Sequence, residues 1–153
     1  MIWVLLVIYQ LKHFLADYPL QGRYMLGKFR DHEWVKPLLA HVGVHGAFTF
    51  FIALAFTHSL GVAWSLLALD AGVHFVMDRI KAGRRYLGRF KALSGLEYSD
   101  VTEDLLSKDK LRRFVARKRI SGNTYFWWAL GFDQMVHHLT HYACIFFILR
   151  HLA

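Results

Sequence analysis

One stretch of the chain combines an apolar background with four regularly spaced polar residues. Asp70, His74, Asp78 and Lys81 lie within and just after a long hydrophobic run, separated by four, four and three positions. Residues three or four apart lie on the same face of an α-helix, so this spacing predicts one polar stripe along an apolar helix. Charged groups in such a helix are costly unless other groups compensate for them. We therefore expect the rest of the chain to supply partners for this stripe.

The composition predicts a membrane protein. The chain has 153 residues, enough for one domain, and 56% of them are hydrophobic while 20% are charged. Ordinary soluble domains of this size are less apolar, and several windows are long enough to cross a bilayer. The single cysteine, Cys144, excludes an intrachain disulfide and argues against a thiolate metal site. The predicted fold class is all-α, a polytopic membrane protein with one transmembrane domain over residues 1–153.

Four transmembrane helices are predicted, and a basic loop separates the third from the fourth. Pro19 ends the first helix, because the residue before a proline avoids helical backbone angles, and Pro37 suits the first turn of the second. The very short link near residue 59 makes the second and third spans a helical hairpin. The predicted spans are residues 2–18, 37–57, 61–80 and 125–149. The basic segment, residues 81–123, is predicted to contain an amphipathic helix over about residues 102–119, whose membrane-facing or protein-facing residues are Leu105, Leu111, Phe114 and Val115.

The positive charge is concentrated beside the third span. Residues 79–123 contain 13 Lys or Arg and 5 Asp or Glu, which accounts for the whole net charge of +8. Such a block can indicate nucleic-acid binding, but a basic loop next to membrane spans is typical of the cytoplasmic side. We therefore expect membrane lipid rather than nucleic acid as partner, and homo-oligomerisation stays open. The expected location is the bacterial inner (cytoplasmic) membrane, with both termini outside.

This topology brings histidines and aspartates from all four spans to a similar depth, near the cytoplasmic ends. The topology follows from Lys and Arg alone, so the shared depth of these other residues independently supports a common site. Carboxylates inside spans are rare and commonly mark functional sites. The predicted metal ligands are His13, Asp17, His41, His45, Asp70, His74, Asp78, Asp133, His137 and His141.

Helix geometry limits how these ligands can be shared. Eight residues of helix rise about 12 Å, so Asp70 and Asp78 cannot bind the same ion, nor can Asp133 and His141. The set also exceeds the ligands of a single zinc ion. We therefore expect either two divalent ions or one ion with outer residues that orient its ligands. Mixed His and carboxylate ligands favour zinc, with manganese and iron as the other candidates.

Four further residues lie outside this pattern. Lys12, next to His13 in the first span, either snorkels to the membrane surface or lines the polar interior. The remaining three are histidines that fit no pair and are expected on the surface, namely His32, His58 and His151.

The first polar block resembles a known family. The run from His13 to Gln21, HFLADYPLQ, resembles the H-x-x-x-D-[F/Y]-x-L-Q opening of a small bacterial and phage membrane family, the domain of unknown function 3307. The His41/His45 pair, the stripe at 70–81 and the Asp133-Gln134-His137 element are similar to the family's other polar blocks, so the resemblance covers nearly the whole chain. A looser likeness is to membrane-bound proteins described as metal-dependent hydrolases, and it implies hydrolysis only by analogy.

The first functional hypothesis is a membrane-embedded, metal-dependent hydrolase that acts at the cytoplasmic leaflet, on a phosphate-containing lipid or a similar substrate. Two divalent ions can activate water and hold a phosphoryl group, while Asp78 or His45 accepts the proton. Lys81, with Lys28 or Arg23, suits a phosphate, although the positive-inside rule explains these charges equally well. The predicted substrate-binding residues are Gln21, Lys28, Lys81 and Gln134.

Two other hypotheses stay open. Chains of intramembrane Asp and His also serve proton relays, which fits a metal or proton carrier, or a small subunit of a membrane assembly. A membrane di-iron oxygenase is the third hypothesis, because the His41/His45 pair and the cluster of His137, His138 and His141 are histidine-rich. The intramembrane aspartates argue against it, since histidine-rich ligation would be expected there.

Overall fold

The chain folds into helices joined by short links. The computed structural model describes residues 1–30, 32–82, 100–101, 103–105 and 107–153, and no strand occurs among these residues. The helices with described bounds are α1 (Ile2–Asp17), a 3₁₀ helix (Met25–Phe29), α2 (Val35–Thr57), α3 (Leu60–Ala82), α4 (Lys110–Ser121) and α5 (Thr124–Leu152). Residues 100–101 and 103–105 are also helical. The all-α prediction is confirmed for the described residues.

Two of the described helices, α2 and α3, are long and apolar enough to cross a membrane. Their most apolar stretches are only 39% and 28% buried inside the protein, unlike the core helix of a soluble domain. α1 has 16 residues and rises about 24 Å, which is less than the hydrocarbon thickness of about 30 Å. α5 has 29 residues, but Asp133 and four histidines lower its mean hydropathy. The prediction of four spans is therefore supported for two.

α2 and α3 form the predicted helical hairpin. Only His58 and Ser59 separate them, and these two helices pack against each other more extensively than any other pair. His58 ends α2 in the left-handed region with φ of +50°, and its N–H donates to the Leu54 carbonyl at 2.9 Å. This conformation commonly ends helices, and His tolerates it better than most residues.

The interior of the bundle has an apolar half and a polar half. The apolar half lies at the hairpin end, where the start of α1 meets the end of α5, and its buried residues are Leu5, Tyr9, Ala53, Ala63, Leu66, Cys144, Ile145 and Ile148. The other half buries aspartates, histidines and lysines instead. The outer surface is apolar on all four long helices, where Trp3, Phe51, Trp64 and Phe146 are each more than half exposed.

The predicted amphipathic helix is confirmed only in part, because it is interrupted. Residues 100–101 and 103–105 are helical, as the prediction requires, but residues 107–109 are not, and a separate helix, α4, begins at Lys110. The reason is local: the Asp109 carboxylate accepts a hydrogen bond from the backbone N–H of Leu111 at 2.8 Å and caps a new helix. Thr102 and residues 83–99 of the basic segment lie outside the described residues.

Candidate functional site

Histidine rings from all four long helices meet in one cluster. The His13 ring, on α1, lies within 6.1 Å of the rings of His45, His74, His137, His138 and His141. The His74 ring is stacked on the His137 ring, with centroids 3.9 Å apart and planes 6° apart. Of the ten predicted ligands, nine are at most 5% exposed, and Asp17 is half-buried. His32, His58 and His151 are exposed, as predicted.

The Asp17 carboxylate contacts histidine nitrogens from two helices, α1 and α2. Its Oδ1 lies 3.0 Å from His45 Nε2 and 3.4 Å from His41 Nε2, and its Oδ2 lies 3.1 Å from His13 Nε2. Asp17, His41 and His45 offer ligand atoms that all lie within 4.8 Å of one another. A carboxylate with several imidazoles is a donor set that zinc accepts.

Two further groups of ligand atoms, each within 4.8 Å, adjoin the first. One consists of Asp78, Asp133 and His137, and the other of His13, His74 and His141. The Nε2 atom of His41 lies 3.2 Å from Asp78 Oδ2 and so connects the first group to the second. Asp133 and His141 fall in different groups, in keeping with the limit that helix rise sets.

Several buried nitrogen and oxygen atoms in these groups, each able to bind a metal, have no hydrogen-bond partner among the described residues. Among them are Nε2 of His74, both ring nitrogens of His137 and Oδ1 of Asp133. Buried polar atoms in native proteins nearly always have a partner. Imidazole nitrogens and carboxylate oxygens that converge in this way fit a divalent ion, or ordered water.

Three buried or partly buried lysines pair with three of the aspartates. Lys12 Nζ lies 2.6 Å from Asp70 Oδ2, Lys28 Nζ 2.9 Å from Asp78 Oδ2, and Lys81 Nζ 2.6 Å from Asp133 Oδ2. Lys12 therefore lines the interior and does not snorkel. Burial lowers the pKa of Lys28, and the Asp78 carboxylate opposes this shift.

Asp70 is the one predicted ligand that lies outside all three groups. Its Oδ2 accepts hydrogen bonds from Lys12 and from the Thr49 hydroxyl, each at 2.6 Å. Its Oδ1 lies 3.3 Å from Nδ1 of His74, and its backbone carbonyl lies 3.1 Å from the same nitrogen. Asp70 can therefore orient His74 and leave Nε2 of that ring available. Sequence reasoning missed Thr49, although it lies four residues after His45 on the same helix face.

All four predicted substrate-binding residues line one cavity of about 300 Å³ next to the cluster. At its polar end, Lys28 donates to Gln21 Oε1 at 3.1 Å, and His13 Nε2 lies 2.9 Å from Gln134 Oε1. Arg23 is exposed and does not line this cavity. The complete lining is Asp17, Tyr18, Gln21, Lys28, Phe29, Lys81, Ile120, Phe126, Trp127, Ala129, Leu130 and Gln134.

Comparison with known proteins identifies the family. The model of the family described as "Protein of unknown function (DUF3307)" matches residues 5–152, and so includes the polar residues of all four long helices. The chain belongs to DUF3307. This match confirms the resemblance of the HFLADYPLQ block. No curated protein and no solved structure matches the chain, so the looser likeness to metal-dependent hydrolases gains no support from these comparisons.

Proposed function

We propose that the protein is a membrane-embedded, metal-dependent hydrolase that acts on a phosphate-containing lipid or a similar amphiphile at the cytoplasmic leaflet. The observation that carries the proposal is the cavity described above. Lys28, Lys81 and Asp17 line its polar end, and the rest of its wall is mostly aromatic and aliphatic. A site of this kind suits a molecule with an anionic head and an apolar tail.

The distribution of polarity supports a location in the membrane. The interior near the cluster is charged, whereas Val7 and Leu11 on α1 and Leu139 and Phe146 on α5 are 56–58% exposed. Soluble monomers rarely expose such extensive apolar surface. In this proposal α1 and α5 join α2 and α3 as spanning helices, and the basic segment between α3 and α5 lies in the cytoplasm.

Two of the three ligand groups contain carboxylates and are the best candidates to hold metal. Zinc is the first candidate for both groups, and manganese and iron also accept these ligands. When bound, divalent ions make water a better nucleophile near neutral pH and neutralise the charge of a phosphoryl group. The residues of these two groups are Asp17, His41 and His45 in one, and Asp78, Asp133 and His137 in the other.

His45 is better placed than Asp78 to accept a proton. Asp78 lies between Lys28, at 2.9 Å, and Lys81, at 3.6 Å, and both ammonium groups stabilise its charged form. His45 contacts the Asp17 carboxylate, and such a contact orients an imidazole and strengthens it as a base. An imidazole that accepts a proton is not at the same time a ligand, so Asp17 and His41 of this group would hold its ion. His13, which belongs to the neighbouring group, would be the third ligand, because its Nε2 lies 3.1 Å from Asp17 Oδ2.

A direct assay tests the proposed reaction. The purified protein is incubated with a panel of phospholipids and prenyl phosphates, with zinc, manganese or iron supplied, and phosphate or alcohol release is measured. We expect turnover with at least one substrate, and we expect His41→Ala to lower its rate by about 100-fold or more. The matched controls are His32→Ala and His151→Ala, because both side chains are exposed and lie away from the cluster.

Two results would contradict the proposal. The absence of turnover with every substrate and metal would reject the hydrolase itself. Turnover that survives replacement of both His41 and His74 would reject this site as the place of reaction.

The Lys–Asp pairs favour a second candidate, a proton or metal carrier. Lys12, Lys28 and Lys81 neutralise three of the four aspartates without any metal, and Lys12 Nζ also lies 3.2 Å from His141 Nε2. Buried chains of this kind serve proton relays in membranes. Metal-dependent or pH-dependent flux in proteoliposomes, without hydrolysis, would favour the carrier over the enzyme.

A further inference from the structure

α4 presents an apolar face away from the part of the protein that the structure describes. Ala116 is 2% exposed, and with the half-buried Arg113 and Ile120 it forms the side that faces the bundle. At about 100° per residue, three apolar residues fall on the opposite side, and they are 69%, 63% and 55% exposed: Leu111, Phe114 and Val115. A soluble amphipathic helix turns its apolar residues toward its own core, so this outward face requires another partner.

Basic residues flank that apolar face on both sides. Six of the twelve residues of α4 are Lys or Arg, and none is acidic. Lys110 and Arg117 lie along one edge of the face and Arg112 along the other, and all three are exposed. Lys118 lies on the apolar side itself, near the end of the helix, where its long side chain can extend its charge to the membrane surface. This arrangement is typical of helices that lie in the interface of an anionic membrane, because the apolar residues enter the acyl region while the cations contact phosphates.

A groove beside α4 has the same character. It has a volume of about 590 Å³ and is lined by Leu105, Phe114, Arg117, Lys118, Ile120, Ser121 and Trp127. Its apolar wall suits an acyl chain, and its two cations suit a phosphate. Ile120 and Trp127 also line the cavity of the candidate site, so groove and cavity share a wall. The Trp127 indole donates to the Ser121 carbonyl at 3.4 Å and connects α5 to α4 there.

We propose that α4 binds the anionic phospholipid surface of the leaflet that contains the candidate site. Leu111, Phe114 and Val115 lie among the acyl chains, while Lys110, Arg112 and Arg117 contact lipid phosphates. Anionic headgroups are then concentrated at the shared wall of groove and cavity. The inference rests on the membrane location in the proposed function and does not depend on hydrolysis.

Spin labels on the full chain in lipid nanodiscs test this inference. Cys144, which is buried, is replaced by alanine, and single cysteines are introduced as Leu111→Cys on the apolar face and Arg112→Cys on its basic edge. A third variant, Phe51→Cys, reports on the membrane-facing surface of α2, where Phe51 is 66% exposed. Collision with oxygen marks a label in lipid, and collision with a water-soluble nickel chelate marks a label in water.

We expect the label at position 111 to be reached by oxygen and protected from nickel in discs that contain phosphatidylglycerol, while the label at position 112 stays accessible to nickel. In discs of phosphatidylcholine alone, or at high salt, the label at position 111 becomes more accessible to nickel. Neutralisation of Lys110 and Arg117 to glutamine shifts the ratio of inserted to solvent-exposed helix by about five-fold for each charge.

Three results would overturn the inference. High nickel accessibility at position 111 in both kinds of disc rejects membrane contact, and protection that is equal in both rejects recognition of anionic lipid. Dipolar broadening between labels at position 111 on different molecules shows that a second copy of the chain covers this face. The Phe51 label distinguishes failure of this inference from failure of the proposed membrane location. Nickel access at position 51 would reject the membrane location itself.

Discussion

Asp70 and Lys12 form a buried ion pair that touches the histidine cluster without belonging to any ligand group. Both side chains are at most 1% exposed, and their charged atoms are 2.6 Å apart. Such a pair contributes little net stability, but removal of one partner leaves a buried charge without compensation. The pair therefore matters for stability chiefly when one partner is removed, whereas its role in the site is that Asp70 orients His74.

A double-mutant cycle separates the two partners. We expect Lys12→Met alone to lower the free energy of unfolding by about 3–5 kcal/mol, because it leaves the Asp70 carboxylate buried and unpaired. Lys12→Met combined with Asp70→Asn costs less than the sum of the two single changes. Denaturant unfolding in detergent measures both effects, and the exposed Lys36→Met is the control. Additive effects of the two replacements would contradict this coupling.

Elemental analysis tests the ligand groups. We expect the wild-type protein to retain one or two divalent ions per chain, and His41→Ala and His137→Ala to lower this number, since each removes a ring from a different carboxylate-containing group. His32→Ala, whose side chain is exposed and lies away from the cluster, serves as the control. Equal metal content in all variants would reject these groups as metal sites.

At the scale of elements, the 3₁₀ helix positions Lys28 for the cavity. A Cβ atom at Gly27 would lie 2.9 Å from Cγ and 3.2 Å from Cβ of Pro37 on α2, closer than real Cβ contacts allow. Pro37 is a rigid ring and cannot turn away. The close approach of the 3₁₀ helix to α2 therefore depends on glycine, and the contact of Lys28 with Asp78 depends on that approach.

Gly27→Ala tests this dependence, and Gly22→Ala is its matched control, since a Cβ at Gly22 meets no atom within 4 Å. We expect Gly27→Ala to lower the free energy of unfolding by about 1–3 kcal/mol through overpacking and to weaken the inhibition by inorganic phosphate of any hydrolytic activity. Gly22→Ala leaves both unchanged. Thermal unfolding and inhibition curves provide the measurement, and equal behaviour of the two variants would contradict the role of Gly27.

The limits of sequence reasoning are visible in particular elements. Hydrophobic runs with clear ends predicted the long helices to within a few residues, because an apolar run and a proline or short polar link act locally. The break at residues 107–109 was missed because the spacing of apolar residues does not show that Asp109 accepts a hydrogen bond from the Leu111 N–H and caps a new helix. The pairing of Lys12 with Asp70 was missed because 58 positions separate them along the chain.

At the scale of the whole molecule, one half of the bundle has charged and polar side chains in its interior and apolar side chains on its outer surface, the reverse of a soluble protein. Spacing within single helices predicted which histidines and aspartates share a face, and the charge pattern predicted that these faces lie at one depth. How the side chains divide into three groups depends on helix rotation and packing, and neither is readable from one sequence. The number of spans is also hard to predict, because α1 is short for a bilayer span and α5 is long enough but contains Asp133 and four histidines.

The orientation of the chain in the membrane can be tested with reporter fusions. With the basic segment of residues 81–123 in the cytoplasm and four spanning helices, both termini lie outside. We expect a reporter that works only in the periplasm to be active at either terminus in a bacterial host, and a reporter that works only in the cytoplasm to be active when inserted after residue 22, where the chain is exposed. If only α2 and α3 spanned the membrane, the terminal fusions would be on the same side as the basic loop and would have the opposite activities. The experiment therefore decides between two spans and four, and with it whether the cluster of α1 and α5 residues lies within the bilayer or at its surface.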